Sequence, residues 1–164
     1  MRKPITIVSA ALVLGAISLG LMNSGIVLAA SGKEAIDERV AFMRNNILKP
    51  YLAIKKFAKE DLGTAAEVEK NANFLGAAAA KINRLFPKGT ARGEFDAKIT
   101  RALPKIWEEW ATFESAAQVL ASEAAKLAAV AAKGDPFDIG DQFAAMEKKG
   151  CIGCHKPFRG AKVK

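Results

Sequence analysis

Residues 105–131, KIWEEWATFESAAQVLASEAAKLAAVA, place apolar side chains at Ile106, Trp110, Phe113, Ala117, Leu120, Ala124 and Leu127. The steps alternate four and three, which winds all of them onto one seam of an α-helix with 3.6 residues per turn. Pro104 suits the first helical turn, where its missing amide proton is not needed, and Gly134-Asp135-Pro136 ends the run. Three more segments read the same way. Ile36, Val40, Met43, Ile47 and Ile54 form a first seam, interrupted at Pro50, where a kink or break is expected. Val68, Ala72, Leu75, Ala79, Ile82 and Phe86 form a second, opened by a capping box of Thr64 and Glu67 and stopped by Pro87 and Gly89. A shorter one runs through Ile139, Phe143 and Met146 to Gly150. No stretch alternates with period two for long enough to propose a strand. Four amphipathic helices with short connections predict an all-α fold, an antiparallel four-helix bundle packed at about 20°. Its alanine-rich seams, Ala77 to Ala80 and Ala128 to Ala132, let helices approach closely and leave room for something bulky beside the large residues.

The chain has 164 residues, long enough for one domain with a real core. Residues 1–30 do not read as part of it. Met1-Arg2-Lys3 is basic, Ile5 to Leu21 is apolar, and Val27-Leu28-Ala29-Ala30 offers small residues for cleavage, the order of a signal peptide. An uncleaved anchor is the alternative, since Ile5 to Met22 approaches the ~20 residues that span a bilayer. Ser9, Gly15, Ser18 and Gly20 within the run, and the cleavage-like site after it, favour removal. The expected mature domain is residues 31–164, exported without a membrane span and, in a bacterium, periplasmic.

The formal charge is +8. Without Arg2 and Lys3 the 25 basic residues become 23, against 17 acidic ones, a balance of about +6. These charges are scattered along the helices instead of forming a block, so nucleic acid is not the expected partner. A basic soluble surface is, with an acidic electron-transfer protein as the secondary inference.

The two cysteines lie three residues apart near the C-terminus, where a disulfide would close almost no loop and stabilise little. Cys151-Ile152-Gly153-Cys154-His155 is instead the pattern that attaches a c-type haem. On a helix the two thiols face the same way and can add to the two vinyl groups of one porphyrin, while His155 follows directly and reaches the iron. Structural zinc would need four ligands, and this chain has two cysteines and one histidine, all within five residues. A redox dithiol would expect a βαβ context, which is absent. With a single histidine, a bis-histidine iron is impossible within one chain. The opposite side of the iron is either open or filled by another donor. Met146 is nine residues before His155 on the same helix and does not easily reach the far face. Met43 lies on another helix at a core position, where methionine also serves as ordinary packing.

The sequence resembles the class II cytochromes c, the cytochrome c′ family. The matching stretches are Ala102-Leu103-Pro104-Lys105-Ile106-Trp107, the motif extended through Lys156-Pro157-Phe158-Arg159, Phe86-Pro87-Lys88-Gly89 and Arg39 in the first helix. They cover essentially the whole mature chain. The resemblance implies a four-helix bundle with one covalent haem c between its helices, often assembled as a homodimer. It also implies that the residue four after the N-terminal arginine faces the distal side of the iron, and counting from Arg39 gives Met43. Family members with an apolar residue there keep a five-coordinate iron that binds nitric oxide or carbon monoxide. Methionine resembles the low-spin, methionine-ligated branch. By the same resemblance Arg39 pairs with a haem propionate, where its planar guanidinium suits a carboxylate, and Arg159 stands beside the proximal ligand. Some of Trp107, Trp110 and Phe158 line the pocket.

The expectation is therefore a periplasmic monohaem cytochrome, not an enzyme, with Cys151 and Cys154 holding the haem and His155 and Met43 holding its iron. It passes single electrons between redox partner proteins. The alternative is a five-coordinate gas binder in which Met43 only packs over the iron.

Overall fold

The computed structural model describes residues 32–163, so the signal-peptide reading of residues 1–30 lies outside the described residues. Its helices are α1 Gly32–Phe42, α2 Lys49–Glu60, α3 Ala65–Ala79, α4 Lys105–Glu108, α5 Trp110–Ala131, α6 Pro136–Met146 and α7 Gly153–Phe158. Wide π-helical turns, Met43–Leu48 and Glu147–Ile152, join α1 to α2 and α6 to α7. The first and last pairs thus act as single rods, and with α3 and α5 they make the four members of the bundle. Each rod packs on its neighbours in sequence, α2 on α3, α3 on α5 and α5 on α6, and α2 on α6 closes the ring. Among the described residues there is no strand, only isolated bridges such as Ala102 with Arg159.

Three local expectations differ from what is found. The first helix does not break at Pro50. The missing amide and the ring's clash with the preceding turn are met by the π turn just before it, and helical geometry continues through Glu60. The second seam leaves α-helical geometry at Ala79, and its tail, Ile82–Leu85, is a 3₁₀ turn. The third helix begins as the short α4 behind Pro104, then interrupts at Glu109 (φ −119°, ψ 47°) before α5 starts. There the Trp107 indole Nε1 donates to the Phe86 carbonyl at 3.1 Å, a tertiary anchor that overrides helix propensity. The capping box of Thr64 and Glu67 forms in full.

The seams meet in one core. Ile54, Leu75, Phe113, Leu127, Ile139, Phe143 and Met146 are fully buried, each contributing roughly 1.5–3 kcal/mol of apolar burial. A buried carboxylate is set beside it. Glu123 on α5 accepts from Lys126 Nζ at 2.8 Å and from Gln142 Nε2 of α6 at 2.9 Å, and Lys149 Nζ stands 3.5 Å away. The hydrogen bonds from Lys126 and Gln142 hold its pKa down at about 2. A carboxyl depressed in the folded state adds stability above its ordinary pKa near 4.5, and that stability is lost as pH falls toward 2. Glu123→Gln should therefore cost about 1 kcal/mol at pH 7. The gap between variant and parent in urea unfolding should close as pH drops from 4.5 to 2; a gap independent of pH would show that the charge is not what matters.

Candidate functional site

Gly150 decides how the fourth rod meets α5. A Cβ built there would lie 2.8 Å from Leu120 Cδ1 and 3.0 Å from Leu120 Cα, so only glycine lets the rods touch one residue before the cysteine motif. That approach sets the motif's orientation. Gly150 and Phe158 are buried, and Cys151 and Cys154 are half-buried between them, packed against the core cluster. Ile152, Gly153 and Lys156 face water. Both thiols are free. Burial pushes each up to about 11, helped at Cys151 by the charges of Glu147 and Cys154. They are protonated at neutral pH, the opposite of the lowered pKa a reactive redox dithiol needs. Among the described residues no group of three His, Cys, Asp or Glu side chains gathers around a common point for a metal ion. Zinc and dithiol chemistry both fit poorly, whereas two thiols on one inward side of a helix fit thioether attachment.

His155 keeps much of its surface in water. Partial burial of its ring, then the cations of Arg159 and Arg101, lower its pKa. The imidazole is thus neutral at pH 7, the form with a nitrogen lone pair for a metal.

Met43 opens the π turn of the first rod, is half-buried, and packs on the same core cluster as the two thiols. Its level in the bundle follows from a contact lower down. Tyr51 Oη donates to Glu147 Oε1 at 2.7 Å, and its ring stacks on Phe143 with centroids 5.7 Å apart. Eight residues back from Tyr51 is Met43, and eight on from Glu147 is His155. In antiparallel neighbours both steps run the same way along the bundle, and each crosses one six-residue π turn. Met43 and His155 therefore stand at one level on facing rods. Met43–Leu48 leans on α3 and Glu147–Ile152 leans on α5, so the rods are held by other neighbours beside the site.

Arg39, one turn before Met43, is 4 % exposed. Its Nη1 donates to Thr90 Oγ1 at 3.1 Å and the Leu85 carbonyl at 3.5 Å; its Nη2 donates to Thr100 Oγ1 at 2.9 Å and the Thr90 carbonyl at 3.3 Å. The guanidinium lies 4.5 Å over the Phe86 ring. All these partners are neutral, and burial alone lowers its pKa to about 10. The Phe86 ring meets Phe113 edge-on at 4.7 Å, and Phe113 meets Phe158 at 5.4 Å. Phe86, Trp107 and Trp110 are half-buried against the core. Arg159 is exposed; its amide donates to the His155 carbonyl at 3.0 Å, and burial and Arg101 lower its pKa.

The structure thus gathers Cys151, Cys154 and His155 on one rod, puts Met43 on the first rod against the core cluster that the two thiols also touch, and ties Arg39 into the loop that follows α3. Sequence reasoning missed Thr90 and Thr100, whose link to Arg39 spans 51 and 61 residues, and Gly150's contact with Leu120. Glu123 carried one signal, a carboxylate adjoining the apolar seam three residues before a lysine.

A family model described as Cytochrome C' matches residues 34–159. A cytochrome c' of Halomonas halodenitrificans is 34% identical over 58% of this chain and 72% of its own length. A cytochrome c-554 of Cereibacter sphaeroides is 39% identical over 62% of this chain and 65% of its own length. The solved cytochrome c prime of Shewanella frigidimarina superposes with a TM-score of 0.69 at 27% identity, over 81% of this chain and 99% of that one.

Proposed function

The chain belongs to the cytochrome c′ family of class II cytochromes, and from that premise we propose that it is a periplasmic single-electron carrier with a six-coordinate His/Met iron. It is a haem cytochrome with covalently attached haem c, which supplies a one-electron iron couple. Cys151 and Cys154 are the residues for the two thioether bonds, since both thiols sit half-buried on the inward side of the fourth rod. His155 offers a neutral imidazole, and Met43 offers a thioether from the facing rod. The observation that carries the proposal is the Tyr51–Glu147 hydrogen bond between the two rods, from which equal steps of eight residues lead to Met43 and His155.

A thioether opposite an imidazole favours the ferrous state and raises the reduction potential relative to two nitrogen ligands. Filling both sides leaves no position for a substrate, so the role is electron transfer between redox partner proteins and not catalysis. Arg39 brings a cation into the interior among neutral partners, its Nη protons committed to Thr90, Thr100 and Leu85, so a haem propionate, the anion we assign to it, would meet its charge and its Nε–H but not the fork. Arg159 we place beside the proximal ligand, where its charge favours a neutral His155. Residues 1–30 direct export. Among the described residues no helix is long and apolar enough to cross a membrane.

The optical spectrum of the ferric holoprotein tests this directly. Low-spin bands with a weak sulfur-to-iron transition, unchanged when the ferrous form meets carbon monoxide, are expected. A high-spin spectrum that shifts at once with carbon monoxide would make the protein a five-coordinate gas binder instead.

A further inference from the structure

Basic residues occur in every helical rod, but the excess charge does not. Residues 31–147 hold 17 basic and 17 acidic side chains and are neutral, whereas residues 148–164 hold six basic ones, Lys148, Lys149, Lys156, Arg159, Lys162 and Lys164, and no acid. The whole surplus of the mature chain therefore lies in the segment that contains the cysteine motif. Lys148, Ile152 and Lys156 follow one another at steps of four and are exposed, and Arg159, exposed too, follows the helix end in extended backbone. They form the outward seam, opposite Gly150, the thiols and Phe158. Ile152, set between the two cysteines, is 57% exposed, an apolar contact ringed by cations. Two more cations are tied to the backbone that follows α7. Arg101 Nε donates to the Gly160 carbonyl at 2.7 Å and Arg92 Nη1 to the Ala161 carbonyl at 3.3 Å. Of the six, Lys149 faces Glu123 at 3.5 Å, and Glu147, which adjoins Lys148, keeps its charge while it accepts from Tyr51.

We propose that this seam, centred on Ile152, is the docking face for an acidic redox protein, which exchanges electrons at the motif's outer edge. The inference rests on the electron-carrier reading. Its reason is charge complementarity: a face carrying Lys148, Lys156 and Arg159 in a segment without an acid orients an acidic partner before contact and raises its encounter rate by a factor of ten or more at low salt. Exposed Ile152 supplies the apolar centre that such a short-lived complex needs once water is displaced.

The test uses the reduced holoprotein in stopped flow, with hexacyanoferrate(III) as an anionic oxidant and tris(phenanthroline)cobalt(III) as a cationic one. Each takes one electron from the ferrous protein and becomes the hexacyanoferrate(II) or cobalt(II) complex. Lys148→Glu/Lys156→Glu should slow the anionic oxidant about tenfold at low salt and speed the cationic one, with both effects shrinking to within about twofold at high salt. The charge-matched Lys59→Glu/Lys133→Glu, at the other end of the bundle, should stay within about twofold of the parent throughout. Poly-L-glutamate, an acidic polypeptide surface, should slow the parent's reaction with hexacyanoferrate(III) and not that of the first variant. Equal responses of the two variants would overturn the docking face while leaving the carrier intact. A parent that binds carbon monoxide at once would remove the carrier reading itself. Co-sedimentation of the parent with phosphatidylglycerol vesicles at physiological salt, abolished in the first variant, would assign the seam to a membrane surface and overturn the protein partner.

Discussion

Met43→Leu is expected to convert the ferric holoprotein from a low-spin to a high-spin absorption spectrum and to let the ferrous form bind carbon monoxide. The substitution isolates the sulfur. Leucine and methionine have similar volumes, and exchanging them costs less than about 1.5 kcal/mol where packing is kept. Met43 is only half-buried, so the neighbours on α3 have room to adjust. What leucine lacks is the lone pair. Removing it should also lower the reduction potential, because the thioether favours ferrous iron. Absorption spectra before and after adding carbon monoxide, with a redox titration, read both changes. A variant spectrum identical to the parent's would reject Met43 as a ligand and leave it as packing.

Arg39→Ala should lose roughly 3 kcal/mol of folding stability. The guanidinium fork serves Thr90, Thr100 and Leu85 at once and lies over the Phe86 ring. Alanine would take the guanidinium donors from the Leu85 and Thr90 carbonyls, each costing about 1–3 kcal/mol where buried, and leave a gap beside an aromatic ring, while Thr100 Oγ1 keeps the Ala102 amide and Thr90 Oγ1 the Pro87 carbonyl. The sum is reduced because a buried cation no longer has to be desolvated. Thermal unfolding should fall by on the order of 10 °C for a domain of this size. Arg39→Lys keeps the charge but not the fork, and should recover less than half of the loss. A shift below about 1 kcal/mol would mean that the loop after α3 is held by other contacts.

The helical seams were legible because periodicity is local. Ile106 to Leu127 and Val68 to Ala79 read correctly, and Thr64 with Glu67 marked a helix start that forms as expected. Errors fell where tertiary contacts act on a single turn. Pro50 reads as a kink or break, and the rod departs from α geometry in a π turn before it without breaking; the third seam reads as one helix from Pro104, yet it is interrupted at Glu109, beside the bond from Trp107 to Phe86. Charge misled in a different way. Counted residue by residue it looks scattered, and only its running balance shows that residues 148–164 hold the excess.

By itself the sequence determined the thiol pair, the adjacent imidazole and the four apolar seams, since each depends on spacings of a few residues along one helix. The tertiary structure alone decided that Gly150 lets the fourth rod lie against Leu120, that Tyr51 of the first rod bonds Glu147 of the fourth, and that Arg39 is buried among two threonines far along the chain. Those facts depend on which rods pack together and in what register. That choice is made by the whole core at once, through contacts between residues tens of positions apart.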